Sequence, residues 1–222
     1  MLYRCLFKHL ILWSESRLET STFLYFILTS MLLTLAPGPD ILYLLAKSLA
    51  DGVKSGVILA CGLVSGIFFH TMLVMLGVAA LIQSSPTALT LLKYFGAAYL
   101  LFLAFGAFKS SGEMNLGNAG FKTSYKALYR RGVLMNVLNP KVLLFFLAFL
   151  PQFVNMSDTS ASLQIAFLGL TFALQGLIIF SLVAVCAGRL RKIILANKNL
   201  GKIFGTVEGV VLAGIALALI FG

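Results

Sequence analysis

In a chain that is mostly apolar, the side chains able to hold or exchange charge are few, and two of them sit where a membrane helix should be plain. Asp40 follows Leu35-Ala36-Pro37-Gly38-Pro39 inside the oily run 23–46, and Lys141 follows Asn136-Val137-Leu138-Asn139-Pro140 inside another. A charge at the centre of a bilayer costs ~3 kcal/mol or more, so one kept there is expected to serve function or to meet a counter-charge. An Asp40–Lys141 pair would offset both desolvation costs. Such a pair either fixes packing statically or makes and breaks as a gate, and both readings stand at this level.

The neighbouring residues extend that chemistry. Proline inside a helix removes a hydrogen bond and clashes with the preceding turn. In hydrocarbon the freed backbone groups must face protein or a water-filled cavity. A kink that tunes packing is the simpler account of one proline, but Pro37-Gly38-Pro39 exceeds what a kink needs and leaves carbonyls that suit a ligand's ammonium. Asn136 and Asn139 share one helical face. Their amides donate and accept, which suits an α-carboxylate, an α-ammonium or the backbone freed by Pro140. Local capping explains Asn139 more easily than Asn136. His70, in mid-span, reads first as a hydrogen-bonded structural histidine and second as a proton carrier. Gln175 is a further interior polar candidate. Glu208, soon after Lys202, is expected near the cytoplasmic end, snorkelling or paired there, and Lys93 near the outer end of its span.

These residues need elements to position them, and composition says which. The 222 residues are 60% hydrophobic and only 11% charged, with mean hydropathy +1.00, too few charges for a water-facing surface. Apolar runs long enough to cross a ~30 Å hydrocarbon core recur, and the alternation of a membrane barrel is missing. The expected fold is therefore an all-α, polytopic membrane protein with six transmembrane helices, at about 22–46, 57–82, 86–108, 132–150, 161–187 and 203–222. Residues 1–21 read as an N-terminal tail without a signal-peptide cleavage site, and 22–222 as one transmembrane domain.

Charge orients the spans. The segments 47–56, 109–131 and 188–202 carry Lys47 and Lys54, then Lys109, Lys122, Lys126, Arg130 and Arg131, then Arg189, Arg191, Lys192, Lys198 and Lys202; 83–85 and 151–160 carry no Lys or Arg. The basic loops are assigned to the cytoplasm and both termini to the outside. The net charge of +10 is read as this topology signal, with no nucleic acid as partner. Pro39-Asp40-Ile41-Leu42 aligns with Pro140-Lys141-Val142-Leu143, so repeat one (about 22–108) and repeat two (about 132–222), separated by the loop 109–131, are expected to be inverted three-helix repeats broken at proline in helices 1 and 4. Interrupted spans at corresponding places are a pointer to a transporter's central site.

Gly62-x-x-x-Gly66 and Gly201-x-x-x-Gly205-x-x-x-Gly209 read as helix packing. No G-x-x-x-x-G-K-S/T loop, G-x-S-x-G elbow or H-E-x-x-H motif occurs, and nothing asks for a metal or cofactor. Cys5, Cys61 and Cys186 form no C-x-x-C. A membrane thiol–disulfide relay, the alternative from another class, would need paired cysteines near the broken helices. A non-transporting membrane partner would tolerate substitution of the central polar residues.

The stretch Leu35-Ala36-Pro37-Gly38-Pro39-Asp40 with Leu44-Leu45-Ala46-Lys47-Ser48-Leu49 resembles the hallmark of the lysine and threonine/homoserine exporter family (LysE/RhtB). The likeness continues through Gly96-Ala97-Ala98-Tyr99-Leu100-Leu101, Gly132 to Lys141, and Phe149-Leu150-Pro151-Gln152-Phe153. It covers roughly residues 22 to 154 in order and spacing. The resemblance implies an exporter of amino acids or their derivatives in the bacterial cytoplasmic membrane, driven by protons. Its partners would be a small-molecule substrate, protons and the lipid bilayer, and homo-oligomerisation is left open.

Overall fold

Prolines 39 and 140 each fix φ near −65° and lack an N–H, so each ends one helix and suits the first turn of the next. The computed structural model describes residues 20–84, 86–109, 123–155, 160–189 and 200–221, and every regular element among them is helical. They are α1 (Thr20–Leu35), α2 (Pro39–Asp51), α3 (Val53–Ser84), α4 (Pro86–Lys109), α5 (Tyr125–Val137), α6 (Pro140–Leu144), α7 (Ala161–Arg189) and α8 (Leu200–Phe221). From α6 the backbone runs on through a π turn (Phe145–Phe149) and a 3-10 turn (Leu150–Phe153).

Within α3, α4, α7 and α8 lie four stretches long and apolar enough to cross a bilayer. The pairs α1–α2 and α5–α6 (with its turns) qualify as broken spans, bent by 57° and 47°. With each pair counted once there are six spans among the described residues, in the predicted order.

Two boundaries move. The expected loop 47–56 contracts, because α2 reaches Asp51 and α3 begins at Val53. Gly52 joins them at φ 87°, a left-handed conformation that glycine adopts without a Cβ clash. Lys47 is therefore a helical residue, only 1% exposed, and not a solvated loop cation. The expected loop 109–131 gives up 125–131 to α5, which Ser124 caps by accepting from the Ala127 N–H. Hydropathy misses this extension because Lys126, Arg130 and Arg131 continue a helix well while lowering its apolar average. Most of the tail 1–21, along with Cys5, Lys122, Arg191, Lys192 and Lys198, lies outside the described residues.

Packing is closest where side chains vanish. A Cβ on Gly62 or on Gly132 would strike the backbone of the opposing helix, so α3 and α5 cross in direct contact. Gly66 lies against Asn136 and Gly169 against Thr71, drawing α5 and α7 onto α3. Gly209 receives the Phe108 ring, joining α8 to α4. Gly62, Gly66 and Gly209 thus serve helix contact, as their spacing predicts. Large apolar side chains such as Leu76, Phe95, Phe102, Leu182 and Phe221 remain exposed, the surface a bilayer would cover.

The two ends of the bundle close differently. At the end holding the start of α1, Phe26, Phe145, Phe149, Phe153 and Phe172 form a buried aromatic cluster, with Phe26 on Phe153 at 5.3 Å between ring centroids. The opposite end is polar. Lys47 pairs with Asp51 at 2.9 Å and donates to Thr123 Oγ1 at 3.0 Å, while the Arg131 guanidinium lies 4.1 Å from the Tyr43 ring centroid.

Candidate functional site at the two helix breaks

Each break exposes backbone that the helix would have satisfied, and the chain satisfies it from the other half. At the first break Gly38 is the N-cap of α2, with no side chain to cap it. The Ala36 carbonyl accepts from the Gly38 N–H at 2.8 Å and from Lys141 Nζ at 2.9 Å. A cation beside the last carbonyls of α1 is favoured by the partial negative charge there. At the second break Asn139 is the N-cap of α6, its Oδ1 accepting from the Lys141 N–H at 3.0 Å. The Asn139 amide also donates to Asp40 Oδ2 at 2.6 Å. Asp40 lies in the first turn of α2, where an anion is favoured.

Asp40 and Lys141 therefore meet, but not as the direct pair that their opposite charges suggest. No ion pair within 4.0 Å joins these two described residues. Asn139 stands on the carboxylate and Ala36 on the ammonium, hydrogen bonds of the kind that buried charges need to offset their desolvation. All four residues are buried.

Glu208 corrects the sequence reading. A Cβ placed on Gly38 would lie 2.9 Å from Lys141 Nζ and 3.0 Å from Glu208 Oε1, so both charged ends rest against the bare glycine. Glu208 is thus at the break and not snorkelling at the cytoplasmic end. The signal was available: it is the only acid of the last span, set between Gly205 and Gly209 of the small-residue stripe. The Ala36 carbonyl could not be foreseen, since any carbonyl near the prolines was an equal candidate.

A cavity of about 20 Å³ adjoins these groups, room for roughly one water. Leu33, Thr34, Asp40, Ile41, Lys141, Val142, Phe172 and Phe180 line it. Apart from Thr34 and the two charges, its walls are apolar.

The other candidates divide. Asn136 and Asn139, expected to act from one face, part company at Pro140. Asn139 joins Asp40, whereas Asn136 packs on Gly66, its Oδ1 without a partner among the described residues. Pro140 cannot donate to the Asn136 carbonyl, and His70 Nε2 bonds that oxygen at 3.0 Å. Because a carbonyl only accepts, Nε2 carries the hydrogen. His70 is fully buried, beside Phe146 at 5.7 Å between rings, which fits the structural reading. Gln175 donates to Thr34 Oγ1 at 2.8 Å and so reaches the cavity rim. Cys61 and Cys186 are unpaired and exposed, apart from the charged cluster.

Six spans, two of them broken internally, with charged and polar groups gathered at both breaks, define a multi-pass membrane transport protein. Comparison with known proteins agrees: the LysE type translocator model matches residues 31–222. The chain belongs to the LysE type translocator family. Among similar proteins, a leucine efflux protein from Enterobacter sp. (strain 638) is 29% identical over 196 residues, 87% of this chain and 92% of that protein. A leucine efflux protein from Salmonella choleraesuis (strain SC-B67) is 27% identical over the same extent. No solved structure matches the chain significantly.

Proposed function

We propose that this chain exports aliphatic amino acids of the leucine kind across the bacterial cytoplasmic membrane, in exchange for protons. One observation carries the reading: the cavity at the breaks joins Asp40 and Lys141 to an apolar wall of Leu33, Ile41, Val142, Phe172 and Phe180. A zwitterion with an aliphatic side chain needs such a combination, charge at one end and hydrocarbon at the other. The substrate ammonium lies at Asp40 and the Ala36 carbonyl, with Asn139 and Pro140 shaping the opposite side.

Two interrupted spans in matching places support inverted repeats, as do the contacts of the intact spans. His70 of the second span bonds the first half of the fourth, and Gln175 of the fifth bonds the first half of the first. The basic end, with Lys47, Lys54 and Arg131, faces the cytoplasm, and both termini face outward. With a cavity of only about 20 Å³, this conformation is closed, and loading requires the half-helices to part.

The test is flux of labelled leucine across vesicles containing the purified protein, under an imposed pH gradient. Gradient-driven accumulation is expected for the wild type, with a loss of about 100-fold or more for Asp40→Asn, the scale on which removal of one preorganised polar partner acts. Asp40→Asn transport equal to wild type would remove Asp40 from the mechanism, and no leucine flux in the wild type would overturn the substrate.

A further inference from the structure

A primary ammonium in a dry interior needs acceptors and negative charge, and three such groups converge here. They are the Ala36 carbonyl at the end of α1, the Asp40 carboxylate on α2 and the Glu208 carboxylate on α8. Lys141 reaches in among them. Its Nζ donates to Ala36 O at 2.9 Å and lies beyond 4.0 Å from either carboxylate, where the charges of Glu208 and Asp40 still act on it. Gly38 leaves the space for this, since any side chain there would meet both Lys141 Nζ and Glu208 Oε1. Among the described residues, His70 on α3 is engaged with the Asn136 carbonyl, the cations of α5 end at Arg131, well before the break, and the cations of α4 are Lys93 and Lys109, the latter 4.4 Å from the Phe105 ring centroid.

We propose that Ala36, Asp40 and Glu208 form a single ammonium seat, that Lys141 is its tethered occupant, and that the substrate ammonium takes the seat by displacing the Lys141 proton. This deepens the exporter reading and rests on it for the nature of the substrate. A lysine ε-ammonium and an amino acid's α-ammonium are the same donor, with three N–H groups and one positive charge. Two carboxylates can neutralise two cations in principle, but the Ala36 carbonyl already spends its two lone pairs on the Gly38 N–H and Lys141 Nζ, so a second ammonium can bond it only when Lys141 leaves.

The exchange balances without any other reactant. As the substrate ammonium enters, one N–H bond of Lys141 breaks, the electron pair stays on nitrogen, and the proton leaves to water on the open side. When the substrate departs, Lys141 takes a proton from the side then open and returns to Ala36. One proton moves inward for each substrate moved outward, and the seat holds one cation at every stage. Coupling thus resides in Lys141, while Asp40 and Glu208 hold the seat and His70 is not on the proton's route.

Linkage makes the proposal measurable in detergent, without a membrane gradient. While Lys141 is protonated in the unliganded protein, leucine affinity should rise about tenfold per pH unit, with about one proton released per leucine bound. That slope is read on the wild type and depends on no variant folding. Lys141→Met should flatten it and abolish proton release. Lys141→Arg, whose guanidinium stays charged, should flatten it and weaken binding at every pH. Glu208→Gln should weaken binding of leucine and of methylammonium alike, because each ammonium uses the same seat. A wild type whose leucine affinity has no pH slope overturns the proposal, as does a Lys141→Met protein that still releases a proton. Methylammonium separates the two layers of the argument. Binding with the same slope, in a wild type that ignores leucine, would sustain the seat and overturn the leucine reading.

Discussion

The two helix breaks do the same job by different means. The first, at Pro37-Gly38-Pro39, bends by 57° and is capped by a glycine with no side chain. Its freed carbonyl is capped from the other half, by Lys141. The second, at Asn139-Pro140, bends by 47° and carries its own cap in the Asn139 side chain. Upstream they differ again. The helix before the second break, α5, lies backbone to backbone on α3 at Gly132 and Gly62. Met31, the same distance before Pro39 as Gly132 is before Pro140, is exposed. One half-helix is clamped; the other is held by an aromatic cluster and the Gln175–Thr34 bond. The half-helix before the second break thus rests on backbone contact, and the one that leads into Ala36 rests on side-chain contacts.

Downstream the asymmetry reverses. After the first break α2 remains a regular helix to Asp51. After the second the backbone widens into the π turn and then tightens into the 3-10 turn that Phe153 closes. Pro151 accounts for the change, since its ring would collide with the carbonyl of the preceding turn in a regular helix. The π turn lets the Leu150 N–H reach the Phe145 carbonyl instead. It also turns Phe145, Phe146 and Phe149 into the core together.

Substitutions made in pairs test this contrast, from the largest effect to the smallest. Gly132→Val should cost about 3 kcal/mol by driving α5 off α3, whereas Met31→Val should leave stability almost unchanged. Yield of monodisperse protein and its melting temperature would separate them, and equal losses would end the idea of a clamped half. Asn139→Ala removes both a cap and the amide on Asp40, so a loss of about 1–3 kcal/mol is expected in the same melting experiment. Gly38→Ala should lower leucine transport more than it lowers melting temperature, because the new methyl displaces the flexible ends of Lys141 and Glu208 and no backbone. Smallest are His70→Phe and Gln175→Leu, each removing one interhelical hydrogen bond worth about 0.6 kcal/mol on average in membrane proteins. His70→Phe should be the costlier, since it leaves the fully buried Asn136 carbonyl with the Asn139 N–H alone. Retained pH-driven transport in His70→Phe would agree with coupling through Lys141, and lost transport in a well-folded variant would argue for the histidine.

Much of the fold is legible in the sequence because the bilayer imposes a simple rule. Long apolar runs must be helices, and prolines flanking a glycine must break one. Hence the six spans, the breaks before Asp40 and Lys141, and the packing role of Gly62 and Gly66 all follow from residue types and spacing. Helix ends beyond the hydrocarbon do not, so Lys47 and residues 125–131 read as loop until the helices are seen. The site is half legible. Asp40, Asn139, Lys141 and the Pro37–Pro39 segment stand out individually, as rare polar or helix-breaking residues in apolar surroundings. Glu208 reads as peripheral, because depth along a helix says little about which neighbour a long side chain will reach.

What the sequence determined by itself is the inventory: a helical membrane chain, two breaks, and one charge of each sign beside them. Composition and proline chemistry act locally, so no neighbour is needed to read them. Who meets whom was decided only by tertiary structure. Lys141 chooses the Ala36 carbonyl, Asn139 chooses Asp40, and Glu208 arrives from a helix distant in sequence over the one glycine small enough to admit it. Hydrogen bonds and electrostatics between helices depend on ångström distances, and those exist only once the six spans have packed.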